Sequence, residues 1–176
     1  MSGAYIKTCI PWEPNRLLGR AMTRIIEEEN GWVLIRDYDT MLLNTSWYAI
    51  CQNAIEKVGH DAGIITCYTN AIGSSVQHLK CLSDNIKDHV NVANGRKLNH
   101  KGIITDITAK AKYSKVSGVF MLMHTDTLKK ICPLPEKFLG LDNWINDRVI
   151  EAGLKIYRTE DLYIYHLYGR DWKCGK

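Results

Sequence analysis

The chain has no C-x-x-C pair, and its six cysteines (Cys9, Cys51, Cys67, Cys81, Cys132 and Cys174) follow no regular spacing. Most of them sit among apolar neighbours, where a thiol packs as a small hydrophobe, so the pattern argues against a disulfide framework and for a reducing compartment. The first ten residues carry only a short apolar stretch interrupted by Lys7, which is not the hydrophobic region of a signal peptide. No apolar run approaches membrane-spanning length, so no transmembrane segment is expected and the expected location is the cytoplasm. Internal repeats and low-complexity segments are also missing. A large charge imbalance is missing too: 23 Lys and Arg against 19 Asp and Glu leave a net +4, which suits phosphate-bearing ligands without giving a strong nucleic-acid signature. What is present is 45% hydrophobic residues in 176, enough for one domain over 1–176 with its own core.

Residues 6–10 form a short β-like run that Pro11 and Pro14 end, since proline cannot continue a sheet ladder. Over residues 16–29, Leu17, Leu18, Ala21, Met22, Ile25 and Ile26 fall on one helical face, and Gly31 supplies the stop. The apolar run 32–35 is too short for a helix and delivers the chain into Asp37-Tyr38-Asp39. Thr45 is placed to cap a second helix that Gly59 closes, and a strand follows over 63–68. Residues 74–90 carry spaced apolar positions at Val76, Leu79, Leu82 and Ile86, and the polar stretch 91–102 reads as an exposed, mobile connection. Further strands are expected over 116–123, 155–157 and 162–165, with helices over 125–131 and 144–152. Strands alternating with helices imply a mainly parallel mixed sheet flanked by helices, in which ligands bind beyond the carboxyl ends of the strands. Asp37 and Asp39 stand at such an end.

Two carboxylates one residue apart on a strand end suit a hard divalent cation, Mn²⁺ or Mg²⁺, which also takes oxygens from a diphosphate. A solvated acidic turn is the plain alternative for an isolated D-x-D. The sequence around the pair narrows the choice. Ile10-Pro11, Leu18-Gly19-Arg20-Ala21 and Trp32 through Asp39 resemble the first part of a GT-A-fold, family 2-like glycosyltransferase, and the second half agrees in the same order. The strand around Gly118, the segment from Pro135 through Asn143, the junction from Glu151 through Ile156, and Tyr163-Ile164-Tyr165-His166-Leu167 all resemble segments of that family. The resemblance runs from about Ile6 to Gly169 and is similar to minimal members found in bacteria and their phages, so it implies a bacterial or phage-infected host cell.

The resemblance implies a GT-A-like (Rossmann-like) α/β fold and metal-dependent, hexosyltransferase-like transfer of a sugar from a nucleoside-diphosphate donor, a UDP-sugar being expected, to an unspecified acceptor hydroxyl with inversion. It implies Asp39 and His166 as metal ligands, Asp37 as a contact to the metal or the donor ribose, and Asp142 as the general base. A helix N-cap is the structural alternative for Asp142, and core packing the alternative for a lone histidine. Thr8, Pro11 and Trp12 fall where the family binds the nucleotide, Arg16 and Arg20 are offered to phosphates, and Tyr38, Gly118 and the stretch 70–73 to the donor and its sugar. The chain departs from the pattern in three places: a strand that ordinarily contacts the base is missing between Trp12 and Asn15, Leu141 stands where an acid commonly precedes the base, and Trp144 where an aspartate often follows. Two other functions fit parts of the sequence. Asp37-Tyr38-Asp39-Thr40 also resembles the nucleophile motif of haloacid-dehalogenase-like phosphohydrolases, and a shortened domain could bind a nucleotide sugar without catalysis.

Overall fold

The structure, a computed structural model, describes residues 3–81, 83–136 and 139–167. Strand β1 (Ile6–Cys9) leads through helix α1 (Leu18–Glu28) to β2 (Trp32–Ile35), which pairs parallel with β1. Helix α1 buries Ala21, Met22 and Ile26 of the face expected from spacing, together with Gly19, while Leu18 and Ile25 are partly buried, and Gly31 (φ 93°) turns the chain into β2. The helix starts two residues later than expected because Arg16 adopts a left-handed φ of 58° in a turn closed by its N–H to the Glu13 carbonyl (3.0 Å). After β2 a tight turn feeds β3 (Thr40–Leu42), then α2 (Trp47–Val58) and a 3-10 turn (Gly59–Asp61) lead to β4 (Ala62–Thr69). Thr45 is not the cap of α2: Ser46 holds that position, and the Asn44 Oδ1 accepts from the Ser46 N–H (2.9 Å) to fix the approach.

The expected exposed connection over 91–102 is largely helix α3 (Ile86–Asn99). Asn85 caps it by accepting from the Lys87 N–H (3.0 Å), and its buried face is made by His89 and Ala93 rather than by large apolar residues. The His89 Nε2–H donates to the Ser83 carbonyl (2.8 Å), which can only accept, and Nδ1 therefore accepts from the Tyr163 hydroxyl (2.6 Å). A polar residue satisfied in this way belongs in a core, and hydrophobic periodicity does not reveal it. Strand β5 (Ile104–Asp106), α4 (Thr108–Ala111), β6 (Met121–His124), α5 (Thr125–Ile131), α6 (Leu141–Glu151) and β7 (Lys155–His166) complete the order. The expected strand over 116–123 narrows to β6, and the two expected final strands are one. The polar residues Thr159, Glu160 and Asp161 stay inside β7 because each is paired; the Asp161 Oδ2, for instance, accepts from the Gly102 N–H (2.6 Å).

The sheet runs β1-β2-β6-β4-β7-β3, with β5 also on β7. Strands β1, β2, β4 and β7 share one direction, whereas β3, β5 and β6 oppose them, which makes the sheet mixed with its majority parallel. Successive residues of β2 face opposite sides: Val33 and Ile35 join the cluster under α1, α5 and α6, and Leu34 joins the cluster under α2. Both faces being covered accounts for the nearly continuous apolar runs of β2 and β4. Cys9, Cys51, Cys67, Cys81 and Cys132 are free thiols; burial pushes Cys51 up to about 12 and Cys67 well above the ordinary thiol value, so both pack as inert apolar groups. Cys174 lies outside the described residues, as do Leu82, Lys137, Phe138 and the last residues of the family-like segment, 168 and 169. No helix of the described residues is long and apolar enough to cross a membrane.

Candidate functional site

Strand β2 ends at Ile35, and the turn after it carries Arg36, Asp37, Tyr38 and Asp39. The Thr40 hydroxyl donates to the Asp37 carbonyl (2.7 Å), and Arg36 Nη1 donates to the Thr40 carbonyl and hydroxyl (2.9 Å each), so the turn is braced from within. Because β3 pairs antiparallel with the end of β7, Thr40 stands opposite His166, and the Leu167 N–H donates to the Asp39 carbonyl (3.0 Å). This pairing brings residues 127 positions apart, Asp39 and His166, together: His166 Nε2 lies 3.4 Å from Asp39 Oδ1. One ligand atom from each of Asp37, Asp39 and His166 falls within 4.8 Å of the others.

The histidine is held from behind. Its Nδ1 lies 2.6 Å from the Ala71 carbonyl, which can only accept, so Nδ1 carries a proton and Nε2 is the ring nitrogen presented to the carboxylates. Asn70 clamps the same residue twice, accepting from the His166 N–H (2.7 Å) and donating to its carbonyl (3.1 Å). Two carboxylate oxygens and a ring nitrogen thus converge in one space and are the atoms that could hold a divalent cation. Two carboxylates with one imidazole fit Mn²⁺ better than Mg²⁺, which prefers oxygen alone. Asp37 is exposed as a residue, but its carboxylate faces a cavity; burial there, followed by the negative charge of Asp39, raises its pKa above the ordinary 3.8, with Asp142 adding and His166 opposing.

That cavity, of about 350 Å³, is lined by Pro11, Arg36, Asp37, Tyr38, Asp39, Gly118, Asp142 and His166 on a floor that includes Ile35, Met121 and Ile145. Asp142 is not an N-cap. Gly140, with a left-handed φ of 74°, holds the cap position of α6, and Asp142 is the second residue of the helix. Its Oδ1 accepts from the Asn143 N–H (2.8 Å) and its Oδ2 from the Gly118 N–H (3.3 Å), which orients the carboxylate into the cavity mouth. A Cβ added to Gly118 would sit 3.9 Å from both Asp142 Cβ and Asp37 Oδ1, so a side chain there would stand between the two acids.

Of the residues singled out from the sequence, Pro11, Asp37, Tyr38, Asp39, Gly118, Asp142 and His166 share this cavity, and Thr8, Trp12, Arg16 and Arg20 do not line it. Thr8 is exposed on the edge strand, Trp12 is 72% exposed, Arg16 lies in the turn before α1, and Arg20 binds both Glu136 oxygens (3.1 Å). From the stretch 70–73, Ile72 lines the cavity, while Asn70 and Ala71 support His166. Arg36 and Thr40 stand inside the motifs read from the sequence, but their bracing of the acidic turn has no local signal beyond a cation and a hydroxyl flanking the acid pair. No protein-family model, curated protein or solved structure matches the chain.

Proposed function

We propose that the chain is a metal-dependent glycosyltransferase that moves a sugar from a nucleoside-diphosphate donor, of the UDP-sugar type, to an acceptor hydroxyl with inversion. The observation that carries this reading is the convergence of Asp37, Asp39, His166 and Asp142 on one cavity. Asp39, His166 and Asp37 are the residues that would hold Mn²⁺, which when bound supplies positive charge for the leaving diphosphate. Tyr38 and Pro11 flank the same space and offer flat apolar surface to a base or ribose. Asp142, held by two backbone N–H groups, accepts the proton of the attacking hydroxyl at a carboxylate oxygen. Gly118 leaves the gap between Asp37 and Asp142 clear for the transferred sugar.

Thermal-shift measurements with nucleotide sugars, with and without Mn²⁺, test donor binding, because a ligand specific for the folded state raises its melting temperature by mass action. Nucleotide release measured by chromatography tests turnover. Asp39→Ala and chelation should both abolish release. Asp142→Asn should lower kcat by about 10²–10⁴ with donor affinity nearly intact, as expected for a group that acts in the transition state; equal loss of both would remove Asp142 from the base role. A donor that binds without ever turning over would leave a nucleotide-sugar-binding domain. A haloacid-dehalogenase-like phosphohydrolase would instead use Asp37 as nucleophile and Asp39 as acid. A trapped aspartyl-phosphate would favour that chemistry over sugar transfer.

A further inference from the structure

Beside the metal cavity lies a second cleft, of about 410 Å³, that shares Ile72 and Ser117 with it and is otherwise lined by Gly73, Ser74, Tyr113, Ser114, Lys115 and Asn143. Its volume falls in the range of small-molecule sites, roughly 300–1,000 Å³. The lining is mostly hydroxyl, amide and backbone, with Ile72 its one aliphatic side chain, so it is a poor match for a lipid tail. Lys115 is engaged by Asp147, which neutralises the cation in the wall and leaves a largely uncharged polar surface. Tyr113 stands 92% exposed at the edge, a flat ring with no protein covering it.

Two features mark the cleft as built to receive something. Ser74 is buried, 7% exposed as a residue, yet its hydroxyl has no hydrogen-bond partner among the described residues. A buried hydroxyl is ordinarily paired, and a serine Oγ turns about a single bond to meet an incoming group. Next to it, a Cβ added to Gly73 would meet no atom within 4 Å, so the backbone there is open to close approach. The loop carrying both is anchored across the cleft, where the Ser75 N–H donates to Ser114 Oγ (2.8 Å).

We infer that this cleft binds a saccharide, with an apolar sugar face stacked on Tyr113 and ring hydroxyls bonded to Ser74, Ser117 and Asn143. Serine and asparagine groups pair the donors and acceptors of a neutral polyol, and an exposed aromatic ring covers the C–H face that such a ring presents. Resting on the function proposed above, the inference specifies the acceptor class: the cleft shares Ile72 and Ser117 with the cavity that Asp142 lines, so a sugar held in the cleft lies beside the carboxylate proposed as base.

Saturation-transfer NMR on the metal-free, donor-free chain tests the cleft by itself, with maltose, cellobiose, N-acetylglucosamine and methyl β-galactoside as probes. At least one probe should receive saturation on its ring protons. Tyr113→Ala should weaken that probe at least tenfold and Tyr113→Phe should retain it; both replace an exposed side chain, so folding is not at issue. No transfer to any probe, or transfer indifferent to Tyr113→Ala, overturns the inference. Nucleotide release by the unmodified chain with Mn²⁺, run in parallel, separates the two claims. Turnover without saccharide binding sinks this inference alone, whereas saccharide binding without turnover upholds the cleft and sinks the transferase.

Discussion

Burial of the Asp37 carboxylate disfavours its charge, and the neighbouring Asp39 carboxylate adds to the effect. A carboxyl whose folded pKa lies above its unfolded value binds protons more tightly in the folded state. Its contribution to stability is therefore present below 3.8 and lost as pH rises through the raised value, so at neutral pH Asp37 costs the metal-free fold stability. Asp37→Asn should raise the melting temperature of metal-free protein at pH 7 by about 1–3 °C, a small effect because solvent screens the group. On the proposed function, in which Asp37 helps to hold Mn²⁺, the same substitution should remove most of the stabilisation expected from that ion. Calorimetric scans of both proteins, with chelator and with Mn²⁺, check the two signs together; a variant less stable without metal would mean that Asp37 is structural. Metal affinity of the unmodified chain should also fall as pH drops through the raised Asp37 value, because the proton and the ion compete for one carboxylate.

At the scale of elements, α1 meets the loop after α5 through a glycine. A Cβ on Gly19 would lie 2.0 Å from the Pro135 carbonyl oxygen and 2.8 Å from its carbon, both backbone atoms that cannot turn aside. Alanine gains about 1 kcal/mol over glycine inside a helix. A backbone clash of this kind costs about 1–3 kcal/mol or more and forces the helix to shift, so overpacking wins. Gly19→Ala should lower stability in urea by about 1–2 kcal/mol; an unchanged or higher midpoint would show that the contact yields freely. The Gly19 contact illustrates which parts of the fold were legible. Helices α1 and α2 and strands β2 and β4 were readable because apolar residues mark their buried faces at period 3.6 or in short continuous runs. Helix α3 was not, since its buried face is His89 and Ala93 and its cohesion comes from hydrogen bonds to Ser83 and Tyr163. Strands β3 and β5, three residues each, are too short to show alternation and exist through pairing with β7. At the site, the acid pair stood at a visible strand end, whereas the approach of His166 depends on the β3–β7 ladder, which nothing local announces.

Across the whole molecule, one carboxylate joins elements that are distant in sequence. Glu160, in β7, accepts from Arg96 of α3 (2.9 Å) and from Arg158 (2.7 Å), and both guanidiniums lie over the Tyr68 ring of β4, 4.6 and 4.0 Å from its centre. Arg158 also donates to the Val76 carbonyl (2.6 Å), which ties the loop before α3 to the same knot. Burial pushes the Glu160 pKa up, but hydrogen bonds from Thr105 and Arg158 and the adjacent charge outweigh it and leave the value below the ordinary 4.5. A depressed carboxyl gives stability that is fully present above its unfolded pKa and lost as pH falls through the folded value, so this knot should loosen below about pH 4.5. Glu160→Gln would leave two mostly buried guanidiniums without their counter-charge, at a cost of about 3 kcal/mol. For a chain of this length that corresponds to a fall of about 6–12 °C in melting temperature. Urea unfolding between pH 3 and 7 should show both the lower plateau and a flatter acid limb in the variant. A variant that keeps the original acid slope would place the acid sensitivity on another carboxylate and reduce the knot to local packing around Tyr68.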